Sequence, residues 1–240
     1  MKIKVSKTAR SYLVLPALML VILTCITMPI FSQNIDTTNL SLDNRLYNGK
    51  YYTYFPPKEV LGIQFLSQKS FSKGTVWING LEFKNSDINY DVYNQELVLR
   101  FVTRDQANRI ISVSLLSLDS FTFENKIFII EHFENDRHII YQQIKLGELT
   151  LLIHWYKRLE LSTSLNSTQY FFTDIQRKTI LQKSKKEYQL TTNKSLLKIL
   201  SKKQSASLRK YLKSNHLKLN NMSDLQYYNL LVFLNQLNHE

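Results

Sequence analysis

The chain has 240 residues, 44% of them hydrophobic and 12% aromatic, with a formal net charge of +12, so it is apolar enough to fold around a sizeable core and is not a disordered tail. A single cysteine, Cys25, excludes a disulfide framework, and only five glycines argue against the Gly-rich loops that cradle nucleotide phosphates.

Residues 1–32 have the order of a secretory signal peptide. Lys2, Lys4, Lys7 and Arg10 precede a long apolar run, Leu13 to Met28, and Pro29-Ile30-Phe31-Ser32 follows. Ser32 is small enough for the narrow pocket of signal peptidase, which places the cut between Ser32 and Gln33. A retained anchor needs about 20 apolar residues to cross the hydrocarbon core. This run is shorter, and Pro16 and Pro29 sit near its ends. Cys25 follows Thr24, a poor context for lipidation, and reads as an ordinary apolar residue of the signal. An exported protein, periplasmic or at the cell surface, is the expectation.

Residues 33–48 form a polar lead-in. From 49 to 192 the pattern is that of short strands. Thr75 to Ile78 and Leu81 to Phe83 flank Asn79-Gly80, a pair suited to the positive φ angles of a tight hairpin turn. Ile88 to Tyr93 and Glu96 to Val102 flank Asn94-Gln95 as a second hairpin. Ile110 to Leu116, Ser120 to Phe123, Ile127 to Phe133, Ile139 to Lys145 and Leu149 to Tyr156 follow at short intervals. Leu161 to Thr168 reads as a Ser/Thr/Asn loop, and Tyr170 to Phe172, Thr179 to Leu181 and Glu187 to Leu190 as edge strands. Residues 193–240 change period. Ser195 to Leu200 is a short helix, and Ser201-x-x-Gln204 and Ser223-x-x-Gln226 are capping boxes that open two more. Asn215 marks a left-handed helix stop. The last helix is apolar over so much of its surface that it is expected to be packed on two sides. The fold class is α+β: an antiparallel β-meander, closed as a barrel or folded as a sandwich, followed by a small C-terminal helical cap.

No catalytic, cofactor-binding or metal motif emerges. There is no Gly-x-Ser-x-Gly elbow, no phosphate-binding loop and no dinucleotide fingerprint. His132, His138 and His154 lack tight ligand spacing, and the carboxylates Asp87, Asp91, Asp105, Glu131 and Glu134 sit where turn and strand residues usually do. The charge is more informative. Residues 157–218 hold 15 basic and 3 acidic side chains, whereas 33–156 hold 12 and 14. Within the basic stretch Lys183, Lys185, Lys186, Lys202, Lys203, Arg209, Lys210 and Lys213 are candidates for one positive surface. Outside the cytoplasm the polyanions that such a surface meets are lipid phosphates, lipopolysaccharide and acidic glycans; nucleic acid is not expected there. A solvated lysine face that keeps an aromatic-rich protein soluble is the plainer reading of the same residues.

The run Gly74-Thr75-Val76-Trp77-Ile78-Asn79-Gly80, followed by Ile88-Asn89-Tyr90-Asp91-Val92-Tyr93, resembles a block found in uncharacterised exported proteins of Bacteroidota, with a Gly-x-Val hairpin and a Tyr-Asp-x-Tyr stretch. The likeness continues through Leu146-Gly147, Tyr188, Ser195-Leu196-Leu197 and Tyr227-Tyr228-Asn229. It implies an envelope or secreted location and a β-rich body with a helical tail, and it transfers no catalytic residue. It gives Asp91 a structural role, bonding the connection between hairpins. The expected function is a non-enzymatic binding or scaffolding module of the envelope, meeting a polyanion or an envelope protein through its basic surface. The alternative is an envelope hydrolase acting on glycan or peptide.

Overall fold

A computed structural model describes residues 43–54, 56–103, 105–132, 137–164, 167–184 and 186–238. The signal segment, most of the lead-in and Lys185 lie outside these residues.

The strands are β1 (Lys50–Tyr51), β2 (Ser72–Ile78), β3 (Leu81–Asp91), β4 (Glu96–Val102), β5 (Asn108–Ser112), β6 (Leu118–Phe123), β7 (Lys126–His132), β8 (His138–Leu146), β9 (Leu149–Tyr156), β10 (Leu159–Ser164), β11 (Ser167–Phe172), β12 (Gln176–Lys183) and β13 (Lys186–Leu190). Eleven of them make one sheet in the order β1-β5-β4-β3-β2-β6-β7-β8-β9-β12-β13, and β10 and β11 pair separately. Neighbouring strands are antiparallel. The sheet is a long meander that does not close into a barrel: β1 and β13 remain its edges.

The expected hairpins form. Asn79 and Gly80 take φ of 49° and 75°, the left-handed values that such a turn demands. Leu81 to Asp91 is a single strand rather than two, bent where Asn85 enters the left-handed region at 56°. The bend faces a register shift between Gly74 and Val76 on β2. A Cβ on Gly74 would lie 2.3 Å from the Thr122 carbonyl oxygen and 2.5 Å from Ile88 Cδ1, so no larger residue fits there without displacement.

The sheet coils strongly. Residues 113–117 alone link β5 to β6, which lies four places away across the sheet. Five residues reach about 20 Å at most, barely the flat width of four strand spacings of about 4.8 Å. Coiling brings Tyr90 of β3 to 5.7 Å from Phe121 of β6 and 5.3 Å from Phe128 of β7, ring centre to ring centre. These three rings are fully buried with Ile88, Leu97 and Ile140 in a first core, each large side chain contributing roughly 1.5–3 kcal/mol on burial.

The same face of the sheet continues into a second core, where Leu149, Leu151, Ile153, Leu181 and Leu190 meet the helices. These are α1 (Asn193–Leu197), α2 (Lys202–Ser214) and α3 (Asp224–Asn238), with a 3-10 turn at Leu219–Asn221. Trp155 borders both cores. Both capping boxes are formed: Gln204 N–H donates to Ser201 and Gln226 N–H to Ser223, each glutamine Oε1 accepting in return.

Several local expectations are corrected. Leu159–Ser164 and Ser167–Phe172 are a hairpin, not a loop, and β12 lies between β9 and β13 rather than at an edge. β5 ends at Ser112, where residues 113–117 begin the crossing. The left-handed residue after α2 is His216, at φ 51°, while Asn215 caps the helix at φ −97°. α3 is packed on one side only: Tyr227, Leu230, Leu231, Leu234 and Leu237 are buried, but Leu225 is 68% and Tyr228 43% exposed. Residues 43–48, the end of the lead-in, form a turn that buries Leu46 in the first core. Among the described residues no helix is long and apolar enough to cross a membrane.

Candidate functional site

The basic residues of α2 share one face. At 3.6 residues per turn, Lys202, Lys203, Arg209, Lys210 and Lys213 fall within an arc of about 120°. All five are exposed. Leu208 and Leu212 point the other way, into the second core, and Tyr211 stacks on Phe233 of α3 with ring centres 4.2 Å apart. Among the described residues none of the five takes part in an ion pair. Lys202 and Lys203 open the helix, whose first turn contains no acidic residue. The exposed amide hydrogens there already carry the positive end of the helix dipole, so these two charges lower helix stability.

The β12–β13 hairpin places Lys183 directly opposite Lys186. That turn lies beside the β8–β9 turn, because Lys183 also pairs with Leu149. A Cβ on Gly147 would be 3.9 Å from Asn235 Oδ1 on α3, and Gln204 Nε2 donates to the Leu237 carbonyl at 2.7 Å. These contacts set the hairpin lysines and the start of α2 at the same end of the molecule. Lys185 lies outside the described residues.

A second region surrounds Asp91, which is fully buried. Its Oδ1 accepts the backbone N–H groups of Tyr93 and Asn94 at 3.0 and 2.8 Å, closing the turn between β3 and β4. Its Oδ2 accepts from Tyr52 O–H at 2.6 Å and Asn94 Nδ2 at 2.8 Å. Burial raises the Asp91 carboxyl above the usual aspartate value, while the bonds from Asn94, Tyr52 and Tyr93 pull it back. Gln64 Nε2 donates to the Tyr52 hydroxyl oxygen at 3.2 Å, and the Gln64 carbonyl accepts from Val92 and Tyr93 N–H. Nearby, Lys157 Nζ donates to the Ile63 carbonyl at 2.9 Å; burial lowers its pKa, opposed by Asp174 and Asp91. Beside this network is a cavity of about 390 Å³, with Tyr52, Gln64, Phe65, Lys69 and Phe71 in its wall.

Two of the three candidate histidines meet, and the third lies apart from them. His132 and His138 face each other across β7 and β8, Nδ1 to Nδ1 at 2.7 Å. His154 packs against Tyr141 and Tyr156, with its Nδ1 3.3 Å from the Ile140 carbonyl. Among the described residues no three His, Cys, Asp or Glu side chains gather into a metal-binding group. Neither the Tyr52–Phe71 cavity nor those beside Glu148 and Asn94 have Asp91, Glu131, His132 or His154 in their walls.

Comparison with protein-family models, curated proteins and solved structures gives no match.

Two sets of residues escape sequence reasoning. Gln64 and Lys69 lie between the Pro56-Pro57 pair and β2, in a stretch with no strand or helix period. Trp155 reads as an ordinary strand residue and Arg177 precedes the predicted strand Thr179 to Leu181, yet Trp155 borders both cores and Arg177 ties the sheet to the helical cap. Trp155 Nε1–H donates to Gln142 at 2.8 Å, its carbonyl accepts from Gln95 Nε2 at 2.9 Å, and Arg177 donates to the Met222 carbonyl at 2.9 Å. The aromatic and Gly-poor composition gives no cue to either set; only the coiling of the sheet brings them together.

Proposed function

We propose that this chain is an exported envelope protein that binds or scaffolds a polyanion through the outward face of α2, aided by the Lys183–Lys186 hairpin. The observation that carries this reading is the set of five cations on one helix arc with no acidic partner among the described residues. Two of them sit at the helix start, where an acidic residue would favour folding. A surface kept soluble needs charge of either sign, and mixed signs serve it well; a one-sided face that sets two of its cations against the helix dipole is better accounted for by an anionic partner. The segment 1–32 and the resemblance to exported Bacteroidota proteins support an envelope setting, where lipid phosphate, lipopolysaccharide and acidic glycan supply that chemistry.

Each cation near an anionic membrane surface contributes about 1 kcal/mol, so the arc supplies roughly 5 kcal/mol at low salt. The test is sedimentation of the exported protein with phosphatidylglycerol vesicles and with lipopolysaccharide. Binding should weaken steeply between 0.1 and 1 M salt, as the screening length shrinks from about 10 to about 3 Å. Neutralising Lys202, Lys203, Arg209, Lys210 and Lys213 together should lower affinity at least about 100-fold. Undiminished binding by that variant would remove the basis for the reading.

A further inference from the structure

We propose that the cavity beside Asp91 is a binding site for a small ring compound that carries both a hydroxyl and a carboxylate. Its volume of about 390 Å³ lies within the range of small-ligand pockets. Tyr52, Phe65 and Phe71 give it aromatic walls, and the guanidinium of Arg100 covers Phe71 at 4.8 Å. A ring face packs well against such walls, whether an aromatic ring or the C–H face of a sugar.

The polar requirement follows from one hydrogen-bond chain. The only proton of the Tyr52 hydroxyl goes to Asp91, 2.6 Å away. Tyr52 can therefore only accept from Gln64, which must present Nε2 at 3.2 Å. This fixes the orientation of the Gln64 amide and leaves Oε1 as its free atom in the cavity wall. Gln64 is 8% exposed, and Oε1 has no protein donor among the described residues. Oε1 is not sealed from solvent, so a guest O–H or N–H that reaches it takes the place of water as its donor. A simple fatty acid, ionised, has no such donor. Lys69, also in the wall, is exposed and has no acidic partner among the described residues, so it provides the matching site for an anion.

Sugar acids and phenolic acids both meet this description, and the probes tell them apart. Backbone amide NMR of the exported protein is followed during titration with glucuronate, 4-hydroxybenzoate, benzoate and glucose. Glucuronate or 4-hydroxybenzoate should shift the amides of residues 62–71 saturably, and whichever binds identifies the source. Benzoate, lacking the hydroxyl, and glucose, lacking the acid, should bind at least tenfold more weakly. Gln64→Leu should lose the preference for the hydroxyl and Lys69→Gln the preference for the acid. Val60→Trp, which fills the cavity from its rim, should abolish binding while amides outside 52–71 keep their positions. No saturable shift with either hydroxy acid, benzoate binding as well as 4-hydroxybenzoate, or unchanged binding by Val60→Trp would each overturn the assignment. The α2 lysines take no part, so their neutralisation should leave these titrations unchanged.

Discussion

The guanidinium of Arg177 lies over the indole of Trp155, 5.3 Å from the ring centre. The same guanidinium lies over the phenol ring of Tyr227, at 5.1 Å. Arg177 belongs to β12 and Tyr227 to α3, so one cation joins the sheet to the helical cap. It also donates to two carbonyls of the connection between α2 and α3, Met222 at 2.9 Å and Leu219 at 3.4 Å. The Tyr227 hydroxyl donates to the Leu219 carbonyl at 2.7 Å, which leaves few loose ends in the joint.

Arg177→Leu keeps some of the packing but removes two cation–π contacts and two charge-assisted hydrogen bonds. The expected loss is about 3 kcal/mol. For a chain of this size that corresponds to a fall in Tm of roughly 6–12 °C, measured by circular dichroism. Arg177→Lys should recover less than half, because a compact ammonium lacks the planar fork that meets both rings and both carbonyls at once. A Leu variant that melts with the wild type would show that the cap is held by its apolar contacts alone.

His154 gives the fold a pH dependence. Burial lowers its pKa below the ordinary value of 6.5; Lys178 adds to the lowering, and the Ile140 carbonyl opposes it. The unfolded chain therefore binds the proton more tightly than the folded one, and stability rises with pH across the interval between the two values. The wild type should lose stability as the pH falls from about 6.5 through the depressed folded value. His154→Phe keeps a ring between Tyr141 and Tyr156 and should lack this component. The measurement is the difference in Tm between the two proteins from pH 7 to pH 4.5; a constant difference would count against His154 as the titrating group.

Stability and binding should move in opposite directions at the start of α2. Changing Lys202 and Lys203 to Glu replaces two charges that oppose the helix dipole by two that favour it, a gain of about 1 kcal/mol and an increase in Tm of about 2–4 °C. The same variant should bind phosphatidylglycerol vesicles far more weakly. If these lysines only kept the protein in solution, the variant would be more stable with unaltered vesicle binding.

Much of the fold is legible in the amino-acid sequence. Asn79-Gly80 announces its turn because few other pairs tolerate two positive φ angles, and the two Ser-x-x-Gln boxes announce helix starts because both side chains can reach the free amides. The Leu159–Phe172 hairpin is harder to see, since its Ser and Thr residues suit strands and loops alike. His216 rather than Asn215 takes the left-handed position, a choice made by how the chain leaves α2 for Leu217, whose N–H donates to the Leu212 carbonyl. The basic face of α2 is legible because helical spacing maps directly onto a surface. The cavity is not: Tyr52, Gln64, Lys69 and Phe71 come from segments whose meeting depends on the curl of the whole sheet.

That curl has an optical consequence. Trp155 stands where the first core ends and the helix-covered core begins, and the protein's other indole, Trp77, lies on β2, far along the strand order. Detachment of the cap would bare Trp155 to water while leaving the surroundings of Trp77 in place. With Trp77 changed to Phe, a red shift in emission becomes a direct clock for cap release, separable from loss of the β-sheet signal in the far ultraviolet. The molecule thus contains its own gauge of whether its two halves melt together or in turn.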